Sequence, residues 1–167
     1  MNDEQRALLE KQRKKQSIKT MYFNRYLLVR YVTALFFFTN LYWFISLVLS
    51  DSKLFFIPFV LLAFMVASVV EQVKIYSSPS HHPKFTKYSF TALLAANVIC
   101  IVPACFSSTF AMLYPFLINQ DESRVFILTI LISGILLAAF MLKRLHKICL
   151  NEDKHYSRIK LYEKVIN

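Results

Sequence analysis

The sequence predicts an all-α integral membrane four-helix bundle, built as two antiparallel hairpins with both termini cytoplasmic and a short helix in each tail. Two observations carry the prediction. Four apolar runs, 31–49, 54–70, 88–106 and 125–142, each have about the 17 to 25 residues that cross a hydrocarbon core about 30 Å thick. Of the 20 Lys and Arg residues, all but Lys53 and Arg124 fall in the N-terminal segment, the middle loop or the C-terminal tail. Cation-rich short loops stay in the cytoplasm, so this asymmetry places both ends and the middle loop inside. The same rule explains the net charge of +10 without nucleic acid, because juxtamembrane cations gain about 1 kcal/mol each from anionic inner-leaflet lipid.

The first segment, 1–30, reads as a basic cytoplasmic region that stays attached, since about 25 polar residues precede the first run and no early apolar core marks a signal peptide. Residues from Asp3 to Ser17 are strong helix formers, and Asn2 or Asp3 is placed to cap them. Tyr22, Phe23, Tyr26 and Tyr31 alternate with Arg25 and Arg30, the chemistry of a headgroup layer in which rings sit and long cations snorkel. Arg25 and Arg30 are therefore expected to contact lipid headgroups, as are Lys143, Arg144 and Lys147 beyond the fourth run.

The turn Ser50 to Lys53 is too short to join anything but neighbouring helices. The loop from Ser77 to Pro83, with two prolines and three serines, separates the hairpins. The third apolar stretch continues from Tyr88 to Ile118, about 46 Å of helix, and is too long for one upright span. Pro103 is expected to kink it, with a span ending near Phe106 and 107–118 lying in the outer interface. Residues 143–167 read as a basic amphipathic tail, with Tyr156, Ile159, Tyr162 and Ile166 near a 3.6-residue period, resting on lipid or on the N-terminal helix.

Asn40 and Asn97 lie mid-span, where an unpaired amide is costly, so both are expected to face protein and to form interhelical hydrogen bonds. Gly134 and Ala138 have the small-residue spacing that lets helices approach closely. Cys100 and Cys105 point different ways on one helix and do not bridge, while Cys149 lacks a ligand set. His81 and His82 are the residues best suited to metal or phosphoryl chemistry, but nothing near them in sequence completes a site. A single glycine removes phosphate-binding loops and nucleophile elbows, and no acidic or basic residue lies within a run. No catalytic, cofactor or metal site is expected.

Met21 to Tyr31 (MYFNRYLLVRY), Leu35 to Trp43 (LFFFTNLYW) and Glu71-Gln72-Val73 resemble small multi-span proteins of streptococci and related bacteria. Members of that group often carry an automatic label as a cellobiose-type phosphotransferase subunit. The resemblance implies a bacterial plasma-membrane protein. The label implies either a soluble phosphohistidine carrier or a permease of many spans, and four spans with His81 and His82 in a proline-bracketed loop match neither. The expected role is association with lipid and a protein partner or further copies, as a scaffold, accessory or regulatory subunit. A transport component, either an accessory to a sugar permease or an oligomeric pore lined by Asn40 and Asn97, is the alternative.

Overall fold

The computed structural model describes residues 3–77 and 83–166, and every regular element among them is helical. In chain order these are α1 (Asp3–Asn24), α2 (Leu27–Leu49), a 3-10 turn (Lys53–Phe55), α3 (Phe56–Ser77), α4 (Lys84–Cys105), α5 (Ser107–Leu113), α6 (Asp121–Cys149) and α7 (Lys154–Ile166). His81 and His82 lie outside the described residues, together with most of the loop that contains them.

Four helices, α2, α3, α4 and α6, are long and apolar enough to cross a membrane. In each, only 28% of the most apolar window is buried against protein. Phe38, Tyr42, Phe56, Val102, Phe126 and Leu136 all stand exposed on the outside, so the helices are apolar all round rather than striped. Such an exterior suits hydrocarbon as the solvent. The chain is thus a multi-pass membrane protein by helix length and composition.

Each long helix packs on its successor, α2 on α3, α3 on α4 and α4 on α6. Nearer the tails the core gathers Val29, Val32, Phe36, Met65, Phe90, Ala138, Met141 and Leu145, with Phe36 and Phe90 edge to face at 6.2 Å. A second cluster lies toward the opposite end, where Cys100, Ala104, Phe110, Leu113, Ile127 and Leu131 pack with Leu54 and Trp43. Trp43 joins both clusters.

With one glycine in the chain, two turns use other residues in the left-handed region. α2 ends at Asp51 (φ 49°), where Ser52 N–H reaches the Leu47 carbonyl and Asp51 N–H that of Val48. α6 ends the same way at Asn151 (φ 57°), with Glu152 N–H on the Lys147 carbonyl and Asn151 N–H on that of Ile148. Both are Schellman closures that satisfy the last carbonyls, and Asn and Asp tolerate the conformation better than most residues.

The long third apolar stretch divides near Phe106 as its length requires, and the N-terminal segment is helical. α1 runs to Asn24 and carries Tyr22 and Phe23 in its last turn. Pro103 lies in the last turn of α4, which stops at Cys105; Phe106 is extended and α5 starts anew at Ser107. Thr109 Oγ1 donates to the Pro103 carbonyl at 2.8 Å and holds the break closed. Pro103 therefore sits inside the last turn of α4, just before the chain breaks at Phe106.

A polar network crosses α2, α3 and α4 near their tail ends. Gln72 Nε2 donates to Thr33 Oγ1 at 3.1 Å and to Ser68 Oγ at 2.9 Å, and Ser68 Oγ donates to Thr86 Oγ1 at 3.2 Å. Glu71 caps the first turn of α4, accepting from Phe85 N–H, Thr86 N–H and Thr86 Oγ1 at 3.1, 2.7 and 2.8 Å. Its charge also meets the positive end of the α4 dipole. Ser89 Oγ adds a bond to the Phe64 carbonyl at 2.6 Å. Gln72→Leu should lower unfolding free energy in detergent by about 1 to 2 kcal/mol, because it removes two hydrogen bonds and leaves the Thr33 and Ser68 hydroxyls only the bonds they donate, to the Val29 carbonyl and to Thr86 Oγ1. Unchanged stability in a steric-trapping measurement would show that the network contributes nothing net.

Candidate functional site

Two features stand out from ordinary helix packing: a clamp between the tails and a cleft within the bundle. The clamp centres on Arg25, in the short turn between α1 and α2. Its side chain is 1% exposed. Nε donates to Asp153 Oδ2 at 3.2 Å, and Nη2 reaches Asp153 Oδ1, Asn151 Oδ1 at 3.0 Å and the Ile148 carbonyl at 3.1 Å. The guanidinium also lies over the Tyr156 ring at 5.0 Å from its centroid. A planar fork is needed here, because the carboxylate is met on two nitrogens while the same group caps the end of α6.

This overturns the expected role of Arg25 as a lipid-headgroup contact. The favourable end of the α6 dipole and the Asp153 carboxylate together compensate the charge inside protein. Around the clamp, α1 packs along α7: Tyr22 Oη donates to Glu163 at 3.2 Å, and Ile159 is buried. Burial raises the Tyr22 phenol above its ordinary value of 10.0, and the Glu163 carboxylate raises it further. Burial raises Tyr26 as well.

The other cations divide. Arg30 is half-buried and stacks on Phe23 at 3.4 Å from the ring centroid. Lys143 and Lys147 are exposed, and Arg144 is half-buried with its Nε enclosed and unbonded among the described residues.

The cleft has a volume of about 710 Å³ and lies between α2 and α6, with α4 as its floor. Asn40 and Asn97 both line it, yet they do not bond each other. Asn40 Nδ2 donates to the Phe36 carbonyl and Asn97 Nδ2 to the Leu93 carbonyl, each at 2.9 Å within its own helix. The expected interhelical amide bonds are thus replaced by bonds one turn back along each helix, where a carbonyl is always in reach. The interhelical polar contacts are made instead by Thr33, Ser68, Gln72, Thr86 and Glu71. The only sequence signal for them was the polar border Glu71-Gln72, since hydroxyls in an apolar run look unremarkable.

Gly134 packs against the Asn97 amide. A Cβ there would lie 3.1 to 3.3 Å from Asn97 Nδ2, Oδ1 and Cγ. Ala138, one turn on, is fully buried in the core shared by α4 and α6. At the far end of the cleft, Trp43 stacks on Tyr114 at 5.8 Å and donates from Nε1 to the Leu113 carbonyl at 3.4 Å. Cys100 is buried, Cys105 exposed and Cys149 half-buried, and all three thiols are free. Among the described residues, no three His, Cys, Asp or Glu side chains gather as a metal site.

The chain is in class a small polytopic helical membrane protein with a tail clamp and a central apolar cleft. Comparison with family models, with curated proteins and with solved structures gives no match.

Arg25→Leu should free α7 by leaving Asp153 without its cation, a loss of about 3 kcal/mol or roughly 100-fold faster amide exchange over 154–164. Exchange unchanged in that segment would show that the clamp does not hold it. Raising pH above 10 should loosen the same contact. The folded state keeps the Tyr22 phenol protonated beyond its ordinary range, so this stabilisation is full below 10 and is lost as pH rises through the raised value. Tyr22→Phe should flatten that alkaline component of the exchange profile.

Gly134→Ala should cost up to about 2 kcal/mol net, overpacking against Asn97 outweighing the roughly 1 kcal/mol that Ala returns in helix propensity. Asn97→Ala in the same chain should recover most of the loss, and purely additive costs in the double-mutant cycle would remove the proposed contact.

Proposed function

We propose that this chain is a non-catalytic accessory or regulatory subunit of a bacterial plasma membrane, acting by association with anionic lipid and a protein partner. The observation that carries the reading is the form of α1. Its C-terminal turns are fixed to α7 beside the Arg25 clamp, while residues 3–16 are exposed on every side. Leu8 and Leu9 stand 60% and 42% exposed among Arg6, Lys11, Arg13, Lys14 and Lys15. A helix anchored at one end and unburied along the other offers an apolar spot ringed by charge to a partner.

The arrangement we infer is two antiparallel hairpins with both tails cytoplasmic. Phe44 meets Phe59 near the Ser50–Phe55 turn, and Thr33 meets Gln72 far from it, which supports the first hairpin. The cation asymmetry supports the sidedness. Lys143, Lys147 and the outward cations of α1 and α7 then face anionic headgroups. The resemblance of Met21 to Tyr31, Leu35 to Trp43 and Glu71-Gln72-Val73 to small multi-span proteins of streptococci and related bacteria supports the bacterial membrane.

Transport is the second reading, favoured by the placement of Asn40 and Asn97 on one cleft. Deletion of 3–16 separates the two. Association predicts that the full chain copurifies in mild detergent as a defined complex with an unrelated protein, and that the deletion loses this partner at unchanged membrane abundance. A homo-oligomer that conducts solute in vesicles, with flux abolished by Asn40→Leu plus Asn97→Leu, would decide for transport.

A further inference from the structure

We propose that the cleft between α2 and α6 binds one neutral molecule with an apolar body and a hydroxyl or amide donor, received by the side-chain oxygens of Asn40 and Asn97. Its volume of about 710 Å³ falls within the roughly 300 to 1,000 Å³ of small-molecule sites, and its walls are mostly apolar. The mouth lies between exposed Leu35 and Tyr42 on α2 and exposed Phe126 and Ile130 on α6, so the entry path runs through the apolar exterior. A ligand dissolved in the bilayer reaches the cleft without crossing water.

The wall chemistry selects against charge and for a donor. No Lys, Arg, His, Asp or Glu lines the cleft, and a charged head would be stranded there. The hydroxyls of Thr39, Thr129 and Ser133 are each spent on a carbonyl four residues back in the same helix. Asn40 and Asn97 likewise spend one amide N–H each, but among the described residues neither Oδ1 receives a hydrogen bond. Asn40 is only 7% exposed, so its oxygen has the cleft as its outlet. A carbonyl oxygen in an apolar site without a donor is costly, and a ligand O–H or N–H removes that cost. The Trp43–Tyr114 stack supplies a flat end wall for the apolar body. This site stands independently of whether α1 recruits a partner.

The probe is a diazirine-bearing hexadecanol, compared with its methyl ether, photolysed with the full chain in phosphatidylcholine nanodiscs and mapped by peptide mass spectrometry. The alcohol should label cleft-facing residues of α2 and α6 about fivefold or more above the ether, the value of one or two hydrogen bonds. Asn40→Leu with Asn97→Leu should erase that preference. Thr39→Phe, which fills the cleft from an exposed position, should remove cleft labelling by both probes while leaving the unfolding midpoint unchanged. Equal labelling by alcohol and ether overturns the proposal. So does labelling spread over exterior residues such as Phe38 and Leu136, or a cleft shielded by a second copy of the chain. Should the double Leu variant fail to fold, the alcohol-to-ether ratio in the wild type and the Thr39→Phe block decide alone.

Discussion

Hydrocarbon offers no hydrogen-bond partner, so every polar group carried into it must be satisfied by the chain itself, and the architecture follows from how each one is. Thr39, Thr91, Thr129 and Ser133 are dealt with locally, by donation to the carbonyl one turn back. Gln72 to Thr33, Ser68 to Thr86 and Thr86 to Glu71 are bonds between helices, and they fix how α2, α3 and α4 meet. Apolar contact alone sets no such preference, because lipid tails are as apolar as Leu and Phe. The small number of directional bonds therefore specifies the packing that the apolar surfaces merely permit. Asn40 and Asn97 are the exception, since both line the cleft and neither side-chain oxygen receives a hydrogen bond among the described residues.

Arg25 obeys the same constraint at the bundle's end. Removing a guanidinium from water costs several kcal/mol unless a charge and further acceptors replace it, and Asp153, Asn151 and the Ile148 carbonyl do so together. Asn151 can contribute because its left-handed conformation closes α6 at that point and turns the chain toward Asp153. Arg25 thus meets the end of α6 at the Ile148 carbonyl and the start of α7 at Asp153, whose carboxylate also accepts from Tyr156 N–H. The consequence for function is that α1 and α7 form one unit, from which 3–16 projects.

The four long apolar helices were legible in the sequence because hydropathy over some 20 residues is a sum, insensitive to any single partner. What could not be read were contacts whose partner lies far along the chain. Nothing local distinguishes Arg25, which turns inward to a carboxylate 128 residues away, from Arg30, which stacks on Phe23. The midspan amides were visible as costly groups, but the choice between a bond across helices and one back along a helix depends on packing distance. Gly134 lets α6 lie against the Asn97 amide, which bonds the Leu93 carbonyl of its own helix. Hydroxyls of Ser68, Thr33 and Thr86 carried no sequence signal, since each could equally have satisfied itself.

Lipid suits the exterior of the four long helices, and we infer that both tails share one compartment. Single-cysteine chains with Cys100, Cys105 and Cys149 replaced by Ser, carrying Ser52→Cys in the first turn or Lys160→Cys in α7, test it with a membrane-impermeant maleimide on intact cells. Labelling is expected at 52 in intact cells and at 160 only after permeabilisation, with a cysteine at position 4 matching 160. Labelling at 160 or 4 from outside, or recovery of the chain in an aqueous extract free of detergent, would contradict it.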